Sequence, residues 1–396
     1  MRANPSVHSF VLDEHLVLFE QRSSALSVLN ATAAAYWFAL QDNQPHDAFL
    51  AALAAASKGH VPSTIEHELA TLKQQWCQNG LIVGDQCAEP KLMQPQDEPD
   101  FVGWVKSEDA GSADAGRKRH RVDLSLLNTP ISVRTDCGEV CAVATDLFAH
   151  LSVPQMPNFA APSFVVEPVD GGWSMGLPGQ GCRHARSLAP LLHGQLLLYA
   201  YRQMRSFAGF HAGAVSRGDR CVVLPGQAGS GKSSLTVALM YAGYGYCTDE
   251  LAVIDNTSMR LIPCPINIGL KEGVWSVLAP MVPNLMGRAV WNRDDGQRVR
   301  YLPPLDSALQ RSDQHKTVTA FVFPRFQAEH RGPASLQGIT AGEALSRLTA
   351  AGYHLDQSIS ADWVARMVDW LPQVPSYSLV YSDTASAVAA VAEVLP

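Results

Sequence analysis

Gly226-Gln227-Ala228-Gly229-Ser230-Gly231-Lys232-Ser233 is the stretch on which the reading of this chain turns. It fits G-x-x-x-x-G-K-[ST] at every fixed position. An apolar run at 221–224 leads straight into it, and Leu235, Ala238, Leu239 and Ala242 follow as a helical stripe. Strand, glycine turn, helix is the arrangement that phosphate binding requires. The glycines let successive backbone N–H groups curl around phosphate oxygens, and the helix N-terminus adds its partial positive charge. Lys232 then bridges the outer phosphates, and the Ser233 hydroxyl ligates Mg²⁺. The expected ligands are ATP and Mg²⁺, held by Gly226, Gly229, Ser230, Gly231, Lys232, Ser233 and Ser234.

Two further features stand at fixed distances from the loop. Cys247-Thr248-Asp249-Glu250-Leu251 places two adjacent acids just before an apolar run, with Glu250 18 residues after Lys232. Adjacent residues inside a strand face opposite ways, but at a strand end both reach one site. Phosphoryl transfer to a hydroxyl needs one acid to hold Mg²⁺ and another to accept the hydroxyl proton. Asp249 is the candidate metal ligand beside Ser233, and either Asp249 or Glu250 is the candidate base. His211 lies in Phe210-His211-Ala212-Gly213, 21 residues before Lys232. If 212–215 and 221–224 form a hairpin, His211 returns to the phosphates, where it orients or helps ionise the base.

Composition narrows the alternatives. The 396 residues are 47% apolar and 17% charged, which predicts two or three folded domains and excludes wholesale disorder. The net charge of -7 argues against nucleic acid or an anionic membrane as partner. No apolar run reaches the 18 or so residues of a membrane helix. Asp13 and Glu14 interrupt the early apolar stretch where a signal peptide would need its core, so a cytoplasmic location is expected. Eight dispersed cysteines form no CxxC pair and no zinc spacing, and are expected to be buried reduced thiols.

The chain divides by composition into residues 1–86, a Pro-, Asp/Glu- and Gly/Ala-rich linker at 87–120, and an α/β (α+β) region at 121–396. In the first, Phe10-Val11-Leu12 and Leu16 to Phe19 suggest a hairpin, and a third apolar stretch, Ala25 to Leu29, leads to Asn30, which caps a helix through Trp37 and Leu40, so that a β-hairpin followed by three helices is expected. A helix at 48–56 follows. Ser63-Thr64-Ile65-Glu66 then reads as a capping box, and Ile65, Leu69, Leu72 and Trp76 share one helical face. Gly80 stops that helix. In the third region, short strands near 132–134, 163–166 and 173–175 suggest an antiparallel sheet. A Leu-rich helix spans 187–204, strands lie at 251–254 and 320–323, and helices at 341–350 and 361–370.

The histidine, the loop and the acidic pair together resemble the bacterial HPr serine kinase/phosphorylase family, which carries His-Gly, a phosphate loop and Asp-Asp. Here His-Ala-Gly and Asp-Glu take their places. The resemblance implies a phosphoenolpyruvate-carboxykinase-like fold, with Glu250 at the base position and His211, Lys232 and Asp249 assisting. An arginine from a later loop also helps in that family; Arg298 and Arg300 are the candidates. Pro263-Cys264-Pro265-Ile266-Asn267 with Leu270-Lys271-Glu272, Phe323-Pro324-Arg325, and Ile339-Thr340-Ala341-Gly342-Glu343-Ala344-Leu345 resemble the HPr-kinase-related proteins of peptide-modification operons, lasso-type kinases among them. Lys271 and Glu272 contact substrate or metal on that resemblance, or form a salt bridge at a helix start.

Phe10-Val11-Leu12-Asp13, Val28 through Trp37, and Asn79-Gly80-Leu81-Ile82 resemble a PqqD-like winged-helix-type leader-recognition domain. That implies capture of a precursor peptide's leader as an added strand beside the hairpin. The expected activity is therefore an ATP-dependent serine kinase acting on a ribosomally made precursor peptide or small protein. A kinase of free serine-like small molecules and a non-catalytic nucleotide-dependent scaffold are the alternatives. Related kinases are multimeric, so the resemblance also implies a homo-oligomer.

Overall fold

Three short apolar runs in the first thirty positions produce three antiparallel strands, Val7–Leu12, His15–Glu20 and Ala25–Leu29, with the buried His15–Glu20 in the centre. The computed structural model describes residues 2–56, 63–84, 87, 105–107, 119–154, 161–177, 182–354 and 359–396. Asn30 caps the helix Ala31–Gln41, its side chain accepting from Ala33 N at 3.0 Å. Helices His46–Ala56 and Ser63–Gln78 follow. The expected stripe holds: Leu69 and Trp76 are buried, and Ile65 and Leu72 pack partly against the same core. Trp37 meets Trp76 edge to face at 5.5 Å, and Phe49 and Tyr36 complete an aromatic centre. The capping box expected at Ser63 and Thr64 falls on side chains outside the described ones, and most of the expected linker lies outside the described residues.

One cysteine expectation is corrected here. Cys77 and Cys87 form a disulfide, their Cα atoms 5.1 Å apart. The chain turns back after the last helix turn, so two thiols ten residues apart become neighbours without any motif. Cys221, Cys247 and Cys264 are free and buried. Burial raises their thiols, that of Cys247 to about 12, so they stay protonated. Cys137 and Cys141 are also free, and no metal-binding group of His, Cys, Asp and Glu forms among the described residues.

Contacts group the chain into two compact units, 1–98 with 338–349 and 357–376, and 99–337 with 350–356 and 377–396. This differs from a division by position, which places everything after 120 together. Helices Ala341–Ala351 and Ala361–Trp370 form where the pattern predicts. Within the first unit, Asp13 Oδ2 accepts from Ala341 N at 2.7 Å, and Ala361–Trp370 packs on the strand Val7–Leu12. A contact spanning 328 positions leaves no local trace in the sequence.

The second unit is mixed α/β with several sheets. One has six strands in the order Val105–Ser107, Cys182–Ala185, Gly172–Gly176, Ser163–Val169, Thr129–Thr135, His120–Leu126. The expectation of a purely antiparallel sheet is corrected: Thr129–Thr135 and Ser163–Val169 run parallel, because the helix Gly138–Phe148 carries the chain back between them. Leu188–Arg202, the expected Leu-rich helix, buries Leu191, Leu192, Leu196 and Leu197 in this unit's core.

A second six-stranded sheet is ordered Gly245–Thr248, Ala212–Arg217, Arg220–Pro225, Thr317–Phe326, Ser376–Tyr381, Ser335–Ile339. The hairpin of Ala212–Arg217 with Arg220–Pro225 forms as expected, and Thr317–Phe326 lies parallel to the latter. A four-stranded sheet, Leu261–Ile262, Ala252–Asp255, Ser206–Phe210, Tyr353–His354, sits beside it in the chain's path.

Candidate active site

The phosphate loop leaves the strand Arg220–Pro225 and enters the helix Lys232–Tyr241. Gly229 and Gly231 take φ of +86° and +92°, a left-handed backbone that glycine adopts freely. At Gly231 space is a second reason: a Cβ there would collide with the Tyr381 hydroxyl, which donates to Gly231 O at 3.0 Å. Gly229, Gly231, Lys232, Ser233 and Ser234 line a cleft of about 510 Å³. Gly226 is where the loop leaves its strand, and a Cβ there would collide with the Ser230 side chain. The Ser230 hydroxyl is buried without a hydrogen-bond partner.

His211 and the acids meet because the chain changes sheets twice at one place. Ser206–Phe210 pairs with Ala252–Asp255 in the four-stranded sheet, and Ala212–Arg217 pairs with Gly245–Thr248 in the six-stranded one. His211 occupies the first crossing and Asp249-Glu250 the second. His211 Nδ1 and Glu250 Oε1 stand 3.8 Å apart, both lining the cleft with Lys232. Gly213 keeps the junction open: a Cβ on it would strike the Thr236 hydroxyl and sit 3.4 Å from Asp249 Oδ1.

The two acids have different surroundings. Asp249 is 2% exposed, and its backbone carbonyl accepts from Lys232 Nζ at 2.5 Å. Burial raises its carboxyl above the ordinary value, against the opposing pull of Lys232 and the Ser233 and Thr236 hydroxyls. Its Oδ1 is buried without a partner. Burial also pushes Glu250 up, but His211, Lys232, His193 and Arg293 together outweigh it and hold that carboxyl below its ordinary value. Glu250 is thus the ionised, cleft-facing acid, and Asp249 the sequestered one. An unpaired buried carboxylate oxygen next to the Ser233 hydroxyl is a hard-oxygen donor set that fits Mg²⁺.

The arginine candidates do not reach this cleft. Arg298 and Arg300 lie two apart on the strand Arg298–Leu302, so both face one way, over Trp275 at 5.6 and 4.4 Å. The alternate positions, Val299 and Tyr301, line the cleft. Arg298 also pairs with Glu272 at 2.5 Å, the salt bridge at a helix start, and Glu272 is not among the residues that line the cleft. Arg293 lines the cleft instead, ion-paired to Asp295 at 3.3 Å. Lys271 lines it too; burial, with Arg293 nearby, holds its ammonium below the usual value.

His193 was not legible as a site residue, because it sits in a Leu-rich helix. It is 6% exposed, with Nε2 2.9 Å from Asn267 O, and lines the cleft. That carbonyl only accepts, so Nε2 carries a proton. Burial lowers the imidazole's pKa, against the opposing pull of the nearby Glu250 carboxylate.

No family model matches this chain, and no curated protein matches it. Solved structures do match. Among them is the HPr(Ser) kinase/phosphatase from Coxiella burnetii, which is 11% identical and covers 47% of this chain and 95% of its own, at a TM-score of 0.21.

Proposed function

We propose that the protein is an ATP-dependent kinase that phosphorylates a serine hydroxyl of a ribosomally made precursor peptide or small protein. One observation carries this reading: the Glu250–His211 pair opens onto the same cleft as Lys232 and the phosphate loop. The motif resemblance to HPr-kinase-related proteins of peptide-modification operons supports it.

The loop amides and Lys232 hold the triphosphate. Glu250 takes the proton of the acceptor hydroxyl as its oxygen bonds to the γ-phosphorus, and the bond from that phosphorus to the β,γ-bridging oxygen breaks, releasing ADP. His211 favours the ionised form of Glu250. Ser233 and Asp249 would hold Mg²⁺, which supplies charge neutralisation on the phosphates when bound. Arg293 and Lys271 add positive charge on the cleft wall.

The first unit is the proposed receptor for a leader peptide. Ala25–Leu29 ends its three-stranded sheet, and an end strand offers unpaired backbone groups to an added strand. A leader held there would raise the local acceptor concentration to about millimolar, so the kinase cleft need not bind the acceptor tightly.

Mass spectrometry of hydroxyl-bearing precursor peptides, incubated with Mg-ATP and either wild type or Glu250→Gln, tests this. A phosphate-sized gain is expected with wild type alone, and a smaller yield once the leader half is removed. ATP binding without any transfer would leave the kinase reading without support, and equal yields with and without the leader would remove the receptor role.

A further inference from the structure

The sheet that carries the phosphate loop differs from one flank to the other. Taking Arg220–Pro225 as its middle, Ala212–Arg217 and Gly245–Thr248 lie on one side, and Thr317–Phe326 and Ser376–Tyr381 on the other. His211 precedes the first strand of the near side and Glu250 follows the second, so the proton-handling groups stand on that flank. Strands in a sheet are about 4.8 Å apart, so the two flanks are separated by more than the width of a phosphate group.

The opposite flank is aromatic. Phe326 ends its strand, is 47% exposed and lines the cleft. Its ring meets Tyr381 at 5.7 Å and 70°. Both residues are fastened to the loop: Phe326 N donates to Ser230 O at 3.0 Å, and the Tyr381 hydroxyl donates to Gly231 O. Thr384 lines the cleft as well, and none of the three carries a charge.

A nucleoside triphosphate has a direction. Lys232, which serves the outer phosphates, reaches toward Asp249 on the proton-handling flank. With the terminal phosphate there, the nucleoside leaves over the other flank, where Phe326 is the large exposed apolar surface. A planar base would cover it, and stacking needs no charged partner.

We propose that Phe326 is the platform on which the nucleotide's purine base stacks, with Tyr381 holding the loop and the ring in register. This rests on the reading of Gly226–Ser233 as a phosphate loop and goes beyond it by assigning the nucleoside side of the cleft. Calorimetric titration of the full chain with Mg-ATP and with inorganic tripolyphosphate tests it. Phe326→Ala should weaken ATP binding about tenfold or more and leave tripolyphosphate binding unchanged, while Phe326→Trp retains both. The backbone bond from position 326 to Ser230 survives in each variant. Equal weakening of both ligands would make Phe326 a prop of the loop and overturn the proposal, as would unchanged ATP binding. If wild type binds neither ligand, the phosphate-loop reading itself fails, and that result is visible before any Phe326 variant is made.

Discussion

The aromatic core of the first unit and the polar end of the loop-bearing sheet bury side chains for opposite reasons. In the first unit Tyr36, Trp37, Phe49 and Trp76 fill the centre, and the buried carboxylate Glu20 is satisfied by Ser23, whose N and Oγ donate to it at 2.7 and 2.9 Å. In the second, Lys232, Asp249, Thr236, Thr248, Asn267 and His193 are all buried. Asp249 Oδ1, Ser230 Oγ and Asn267 Oδ1 have no partner there. A buried unpaired polar atom costs on the order of 1–3 kcal/mol. Trp37 Nε1 and Trp76 Nε1 in the first unit are buried without a partner as well, so the difference lies in chemistry: the first region buries aromatic bulk, while the second buries ionisable and hydroxyl groups around the loop.

The strongest way to break this comparison is Lys232→Ala. It should lower phosphoryl transfer on the order of a thousandfold while leaving far-UV circular dichroism unchanged. Unfolding of the variant would show that Lys232 serves the fold, as Trp76 does. Next in size is Trp76→Ala, expected to cost about 3–5 kcal/mol in denaturant unfolding with nucleotide affinity intact. Lost affinity would contradict the separation of roles. Reducing the Cys77–Cys87 bond should destabilise the first unit by about 2–3 kcal/mol, read as a lower melting temperature in reductant. An unchanged melting curve would mean the short loop is already fixed by packing.

The smallest effect concerns pH. The proposed base works when ionised, so activity is lost as pH falls through the pKa of Glu250. His211, Lys232, His193 and Arg293 hold that pKa below its ordinary value. The acidic limb of kcat/KM should therefore lie under the usual carboxylate range. Replacing His211 by Ala removes one favourable field, raises the pKa, and should move the limb upward. A limb that stays in place would assign the base elsewhere.

Much of the local structure was legible. Asn30, Gly80 and the stripe Leu69–Trp76 mark helix boundaries and a buried face through interactions within a few turns, so the sequence pattern states them. The loop was legible because Gly229, Gly231, Lys232 and Ser233 act as one contiguous piece. No local pattern separates Arg293 from Arg298 and Arg300: strand parity turns the latter two over Trp275, whereas Arg293 reaches the cleft from the turn that precedes their strand. His193 and Phe326 were missed because an isolated histidine in a leucine-rich helix and a phenylalanine at a strand end look like core.

What the sequence determined by itself is short in range: periodicity, caps and a phosphate loop, each set by neighbours along the chain. Tertiary structure decided what depends on distant partners. It brought His211 within 3.8 Å of Glu250 by passing the chain twice between the same two sheets, and it joined Asp13 to the helix at Ala341. Such meetings follow from strand order and direction, and many sequences with the same local pattern are compatible with other orders. Physical adjacency there is a property of the whole fold, which no single window of residues encodes.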